Sequence, residues 1–226
     1  MRYPNLTEAV FLRRPNRFVA QVALEGREET VHVKNTGRCK ELLVPGAGVV
    51  LVRSDNPARK TAYDLVAVWK GERLINMDSQ APNPILEEYL PRSGLFGPGL
   101  SIRREYTHGD SRFDFLVEDG ETRHLIEVKG VTLERHDVAY FPDAPTQRGV
   151  KHLQGLIRAR EEGFESWVCF VIQMEGIRAL RPNDETHPAF GQALRAAREA
   201  GVHILALGCQ VEPGRVEISH PVPVEL

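Results

Sequence analysis

The stretch RFDFLVEDGETRHLIEVKG, residues 112–130, decides the reading of the chain. It reads as two strands joined by Asp119-Gly120-Glu121, a hairpin-type turn. Side chains alternate faces along a strand, so Phe113, Phe115 and Val117 are expected on one face with Asp114 on the other. In the second strand Ile126 and Val128 oppose Glu127 and Lys129. Pairing about the turn makes Asp114 and Glu127 neighbours. Two carboxylates that close repel unless a cation lies between them, and hard oxygen ligands favour Mg2+ or Mn2+ with several waters retained. Lys129 then stands where it can orient or help deprotonate a metal-bound water, or stabilise charge on a phosphate. The chemistry is that of phosphodiester hydrolysis. Charges on the solvated face of an amphipathic hairpin are the ordinary alternative, so the flanks have to decide.

Upstream, NPILEEYL predicts a helix with Asn83 as N-cap, Pro84 at the first helical position and acidic residues in its opening turns, ending near Pro91 to Gly94. The strand LSIRREYT leads into the hairpin. Downstream, residues 146–162 predict a helix with an apolar stripe of Val150, Leu153 and Ile157, stopped by Gly163. Gln147 and Lys151 lie one turn apart on one face, and with Arg148 they are placed to grip a substrate backbone beside the site. SWVCFVIQ reads as a strand buried on both faces, followed by a helix near 187–200 and the strand VHILAL. The result is a mixed sheet with helices on its faces. The order helix, three strands, helix, strand around D…ExK resembles the PD-(D/E)xK nuclease superfamily. Phe113 stands where that superfamily often has proline.

The first 80 residues have a different grammar. RFVAQVAL, TVHVKN, GVVLVRS, YDLVAVW and RLINMD are five short strand candidates separated by turn signals that include Asn35-Thr36-Gly37, Pro45-Gly46 and Asn56-Pro57. They suggest a small barrel, with GRCKELL as one helical turn between the second and third strands. Net charge is −2, but residues 1–80 hold 13 Lys+Arg against 9 Asp+Glu, leaving 16 against 22, so the two parts carry +4 and −6. A basic front half permits nucleic-acid binding. Arg38, Lys40, Arg53, Arg59 and Lys60 are the residues expected to meet phosphates from barrel loops, the alternative being a solvated basic surface. Tyr63 and Trp69 fit base stacking or core packing, and His108 fits a catalytic role or plain turn exposure. The Pro- and Gly-rich segment 80–100 marks the boundary between an expected barrel at 1–80 and an α/β domain at 81–226, α/β overall.

Cys39, Cys169 and Cys209 are widely spaced, without a CxxC pair, which argues against a disulfide framework or zinc ribbon and for a reducing, cytoplasmic location. No apolar run has the length of a membrane span, and the first residues lack a signal-peptide core, so no membrane partner is expected.

Read together, NTGRCKELLVPGA, SDNPARKTAYDL, INMDSQAPNPILEE, SRFDFL, IEVKGVTL and FPDAPTQRGVKHL resemble the signature blocks of the sugar fermentation stimulation protein A family, in family order over residues 35–152. Cys39 takes a place where a larger apolar residue is expected. The resemblance implies an N-terminal OB-fold domain, a C-terminal nuclease-like domain of restriction-endonuclease type, and a DNA-binding role tied to sugar-utilisation genes. It places Asp114, Glu127 and Lys129 on the nuclease motif, with metal held by Asp114, Glu127 and the Val128 carbonyl. It also implies an upstream acid, with Glu87 or Glu88 on the leading helix favoured over Glu105. Three functions follow: a Mg2+-dependent nuclease acting on DNA, a DNA-binding regulator that keeps the scaffold without turnover, and an RNA-processing factor using the same site. Oligomeric state stays open, a homodimer included.

Overall fold

A computed structural model of the protein describes residues 1–35 and 37–226. The first six strands are β1 (Leu6–Asn16), β2 (Val19–Leu24), β3 (Arg27–Val33), β4 (Gly48–Arg53), β5 (Tyr63–Lys70) and β6 (Arg73–Asn76). β1 pairs with β2 and β4, β2 with β3, and β4 with β5, all antiparallel. A short parallel pairing of β3 with β5, His32↔Asp64 and Val33↔Leu65, closes the ring. Closure removes the exposed sheet edges and buries Phe11, Val22, Val31, Leu51 and Leu65 inside. The expected five-stranded barrel is present, with a different membership. Its first strand is β1, and RLINMD supplies β6, which hangs on β5 outside the ring. β1 escaped notice because only Ala9 and Phe11 of its residues are buried, and Glu8, Arg13 and Arg14 break the apolar pattern. The single turn in GRCKELL is there: the N–H groups of Leu42 and Leu43 both donate to the Cys39 carbonyl. The turn signal before it includes Thr36, which lies outside the described residues.

The rest of the chain is α1 (Pro82–Tyr89), a 3-10 turn (Leu90–Arg92), β7 (Ser101–His108), β8 (Ser111–Asp119), β9 (Thr122–Val131), β10 (Leu133–Arg135), β11 (Val138–Phe141), α2 (Gln147–Glu161), β12 (Glu165–Ile172), β13 (Ala179–Pro182), α3 (Pro188–Glu199), β14 (His203–Glu212) and β15 (Arg215–Val222). One sheet runs β15-β14-β12-β9-β8-β7, with β12 parallel to both β9 and β14 and the other pairs antiparallel. The residues of α2 and α3 pack on one face with Leu116, Leu125 and Phe170. On the other face Ile85 and Leu86 of α1 pack with Phe115, Val117, Ile126 and Val128. Phe113 departs from the expected alternation and joins the cluster under α2. A small sheet, β10-β11-β13, has strands of three or four residues, too short to leave a periodic signal.

Helix ends follow local chemistry. Thr146 Oγ1 accepts the Gly149 N–H at the start of α2, and Gly163, at φ +90°, ends the turn after it. α1 starts earlier than expected, with Pro82 in its first turn and Ala81 as an N-cap that makes no side-chain bond. Asn83 therefore lies inside the helix with its amide uncommitted to capping, and the acidic residues Glu87 and Glu88 fall beyond the first turn.

The barrel and the larger sheet share buried surface. Gln173, just past β12 and 1% exposed, donates through Nε2 to Asn76 Oδ1 at 2.7 Å and to the Asp78 carbonyl at 3.0 Å. Its backbone carbonyl accepts the Asn76 N–H, Asn76 Nδ2 donates to the Tyr3 hydroxyl, and that hydroxyl donates to Asp78 Oδ2. Lys34 closes the set on Asp78 at 2.9 Å. All three cysteines are free and buried, and burial pushes each thiol up to about 12, so none is a ready nucleophile or ligand. Among the described residues no helix is long and apolar enough to cross a membrane.

Gln173→Ala strips two buried acceptors of their donor and is expected to cost about 2 kcal/mol. A urea titration followed by tryptophan fluorescence checks this, and an unchanged midpoint would show that the Gln173 bonds do not hold the barrel to the sheet.

Candidate functional site

The site forms where the strands part. The β8–β9 ladder runs from Asp119↔Thr122 to Phe115↔Ile126 and stops there. On the other side β7 pairs Arg104 with Phe115 and Tyr106 with Phe113, skipping Glu105, which has φ +55°. A bulky residue in that conformation is uncommon and often marks a functional locality. Asp114 thus has a backbone partner in neither neighbouring strand. Its carboxylate takes over: Oδ2 accepts the Val128 N–H at 2.8 Å, and Oδ1 accepts from Asn83 Nδ2 of α1 at 2.8 Å.

Glu127 is 3% exposed and tethered from the other side. Its Oε1 accepts from both Lys129 Nζ and His152 Nδ1 of α2. Arg148 Nε lies 3.3 Å from His152 Nε2. A guanidinium only donates, so His152 Nε2 is the acceptor and its Nδ1 carries the proton given to Glu127. The chain Arg148, His152, Glu127 is therefore polarised in one direction. Burial by itself would raise the Glu127 carboxyl, but the bonds from His152 and Lys129 together hold it below the ordinary glutamate value. Asp114 goes the other way. Burial, with the Glu127 charge adding to it, raises its carboxyl above the ordinary aspartate value.

These residues fit a hard divalent cation. Glu127 Oε2 is buried with no hydrogen-bond partner among the described residues, a costly state that a cation would relieve. The second carboxylate is close enough for its own ionisation to feel the first. Among the described residues no group of three or more His, Cys, Asp or Glu side chains is gathered as a metal cluster. Magnesium does not need one, since it keeps several waters and is held through one or two carboxylates and substrate phosphate.

The expected upstream acids are engaged elsewhere. Glu87 is bound by Arg104 of β7, which lowers its carboxyl; Glu88 pairs with the Met1 amine, and Glu105 lies 3.6 Å from Arg112. Asn83 is the α1 residue that reaches Asp114. On α2, Gln147 lies 3.4 Å from His187, and Lys151 is paired with Asp110. Gln147 and Lys151 are thus engaged within the fold, whereas Arg148 is exposed and commits only its Nε. His108 pairs with Glu162 and packs on Phe164, away from the carboxylates. Tyr63 and Trp69 pack against the cores.

On the barrel, Arg59 is doubly bonded to Asp64, whereas Arg38, Lys40 and Lys60 are exposed with no ion pair among the described residues. Arg14, which sequence reasoning did not single out, braces that surface. Its guanidinium donates to the carbonyls of Arg17, Asn35, Gly37 and Arg38. A groove lined by Arg14, Arg17, Arg38, Lys40 and Ala144 sets these cations against the segment entering α2.

Comparison with known proteins adds an independent line. A family model described as the SfsA N-terminal OB domain matches residues 12–77, and one described as the sugar fermentation stimulation protein RE domain matches residues 80–215. Sugar fermentation stimulation protein homologs from Desulfitobacterium hafniense and Ruminiclostridium cellulolyticum are 53% and 49% identical over 226 residues, covering 100% of this chain and 99% and 100% of theirs. The solved structure of Pyrococcus furiosus SfsA in complex with Ca2+ superposes with a TM-score of 0.89 at 29% identity, covering 100% of this chain and 98% of that one.

His152→Ala is expected to weaken Mn2+ or Ca2+ binding about tenfold, and His152→Asn, which keeps an N–H near the Nδ1 position, to restore most of it; calorimetric titration reads both. Asp114→Asn is expected to raise the melting temperature of the cation-free protein and to abolish its rise on adding cation. The sign follows from linkage. A folded-state carboxyl raised above its unfolded value makes the folded protein bind more protons in that interval, so this group's destabilising effect grows as pH rises through its raised pKa. The gain from Asp114→Asn should accordingly shrink at acid pH.

Proposed function

The chain belongs to the sugar fermentation stimulation protein family, and on that premise we propose that it binds DNA through the barrel and hydrolyses phosphodiester bonds at Asp114, Glu127 and Lys129. The observation that carries this reading is the buried, unpartnered Glu127 Oε2 beside Asp114 and Lys129 at the parting of β8 and β9. A family relative described in complex with Ca2+, a cation that takes oxygen ligands, supports a hard-cation site in this chain too.

Asp114, Glu127 and the Val128 carbonyl would hold Mg2+ or Mn2+, which when bound lowers the pKa of a coordinated water and offsets charge on the phosphate. Asp114 is aimed by Asn83 and the Val128 N–H, and Glu127 by His152. Lys129 spends one N–H on Glu127 and has two more for a phosphate oxygen or the attacking water. In the reaction a bond forms between water oxygen and phosphorus as the ester P–O bond breaks. The water loses its proton and the leaving oxygen gains one. Arg38, Lys40 and Lys60 supply backbone contacts that carry affinity without base information.

One observation favours a second reading. α1 offers Asn83 to Asp114 instead of a carboxylate, and Glu87 is tied to Arg104, so the acid set is smaller than a nuclease of this type is expected to have. The alternative is a DNA-binding regulator of sugar-utilisation genes that holds cation and DNA without turnover.

Incubation with single-stranded, duplex and branched DNA, and with RNA, in Mg2+ or Mn2+ separates the two. The nuclease reading expects cleavage, abolished in Asp114→Ala and slowed about 10²- to 10³-fold in Lys129→Ala. Intact substrates with tight, salt-sensitive binding would leave the regulator. For binding itself, Arg38→Ala, Lys40→Ala and Lys60→Ala are each expected to reduce the slope of log affinity against log salt by about 1. Arg59→Ala should leave that slope unchanged and lower the melting temperature, because its partner is Asp64.

A further inference from the structure

A cavity of about 300 Å³ opens between the barrel and the larger sheet, beside the carboxylates but not part of their site. That volume is at the low end for small-ligand pockets, which run from about 300 to 1,000 Å³. One wall is the barrel loop at Asn35 and Gly37, and the opposite wall is the end of β9 from Gly130, one residue past Lys129.

Among the described lining side chains the hydroxyls of Thr132 and Tyr140 can donate or accept and impose no sense on a ligand, so the groups of fixed polarity decide. The Asn35 amide is spent on the Met77 carbonyl and the Gly37 N–H, and the Ser79 hydroxyl donates to the Lys34 carbonyl. Gln173 uses its Nε2 on Asn76 and Asp78, and its Oε1 has no donor among the described residues. The Asp143 carboxylate likewise has none. Both acceptors lean on a glycine. A Cβ at Gly37 would lie 2.7 Å from Asp143 Oδ2, and one at Gly130 would lie 2.6 Å from Gln173 Oε1. A larger residue at either place would push the acceptor aside, and at Gly130 would also meet Pro82 Cγ at 2.7 Å, so the two glycines let a carboxylate and an amide oxygen close on the cavity from opposite walls. Tyr140 adds an aromatic wall.

A cavity with two unspent acceptors selects a flat ligand rich in donors. Among the bases only guanine presents two adjacent donors, N1–H and the N2 amine, on its Watson–Crick edge. Those two match a carboxylate in parallel. Adenine and cytosine offer an amine flanked by an acceptor, and thymine an N–H between two carbonyls that a carboxylate repels. Unpaired bases are read in this way, by pockets that bond the Watson–Crick edge.

We propose that the cavity receives one unpaired guanine of the bound strand, with Asp143 accepting from its N1–H and N2 amine, so that the protein positions single-stranded or unpaired DNA at the carboxylates by reading one base. This rests on the DNA-binding reading above. The test is fluorescence anisotropy in Ca2+ with labelled oligothymidylate carrying one central dG, dI, dA, dC or dT. Wild type is expected to bind the dG strand about tenfold more tightly than the dT strand, the discrimination a bidentate base contact supplies. Inosine, which lacks the N2 amine, should lose most of that gain. In Asp143→Asn the ratio of dG-strand to dT-strand affinity should fall to about one, while loss of the negative charge raises affinity for every strand alike. Equal wild-type affinity for all five strands overturns the guanine pocket and leaves DNA binding standing, as does a preference that survives in Asp143→Asn. No binding to any strand overturns both.

Discussion

The hydrogen bond from the Val128 N–H to Asp114 Oδ2 is the constraint on which the site depends. A backbone donor inside a sheet must find an acceptor, and where β9 parts from β8 no strand carbonyl is there to serve. The carboxylate stands in for one. That substitution lets two strands separate without an orphaned N–H, and it fixes an aspartate at the gap whether or not a ligand is bound. Everything else at the site follows from the opening: Asn83 approaches from α1, His152 from α2, and Glu127 has one oxygen engaged and one without a partner among the described residues. Burying two carboxylates this way works against stability, which is offset on the Glu127 side by Lys129 and His152. Asp114 has only dipoles and a partly shared lysine, and its carboxyl is correspondingly raised.

The knot around Gln173 performs the same service between the two parts of the fold. A barrel hinged loosely beside a sheet would let the distance between Arg38 and Lys129 wander. Instead Asn76, Asp78, Tyr3 and Lys34 are bonded to one another and to the Nε2 of a buried amide at the end of β12, and the apolar cluster runs from Phe11 in the barrel to Phe170 in the sheet without interruption. Buried polar networks of this kind favour one arrangement. The boundary near residue 80 is thus a change of grammar along the chain more than a gap in space.

The hairpin was legible because its period is two and its turn chemistry is local. The barrel was legible as a count of short strands, although β1 hid behind Arg13 and Arg14. What could not be read were contacts made across elements. His152 sits between Lys151 and Leu153 in a helix whose periodic stripe is Val150, Leu153 and Ile157; the buried set also includes Gly149, Gly155 and Leu156, and a histidine within a face rich in small residues is the one sequence signal of its burial. Asparagine before proline reads as a cap because capping is its commonest local use there. Pro82 had already started the helix, which freed the amide for Asp114. Phe113 and Phe115 were assigned one face by strict alternation, which fails where Glu105 and Asp114 drop out of the ladder. Pairings such as Glu87 with Arg104 and Arg59 with Asp64 decide whether a charge is available, and no spacing reveals them.

The charge pattern links the two kinds of ligand. The first 80 residues carry +4, displayed at Arg38, Lys40 and Lys60, while Asp114 and Glu127 carry the opposite charge at the gap between β8 and β9. On the proposed function, a polyanion drawn in by the barrel would meet repulsion at the carboxylates. A divalent cation between Asp114 and Glu127 would reverse that sign, and a phosphate oxygen beside it would add a further hard ligand for the cation. Each ligand would then strengthen the other, equally in both directions by linkage. The Asp114 proton would compete with that cation for the same oxygens, so acidity would uncouple the pair from the side of the metal and salt from the side of the barrel. Such a coupling would have two handles, reached through different residues: a basic barrel and a buried carboxylate pair clamped beside it.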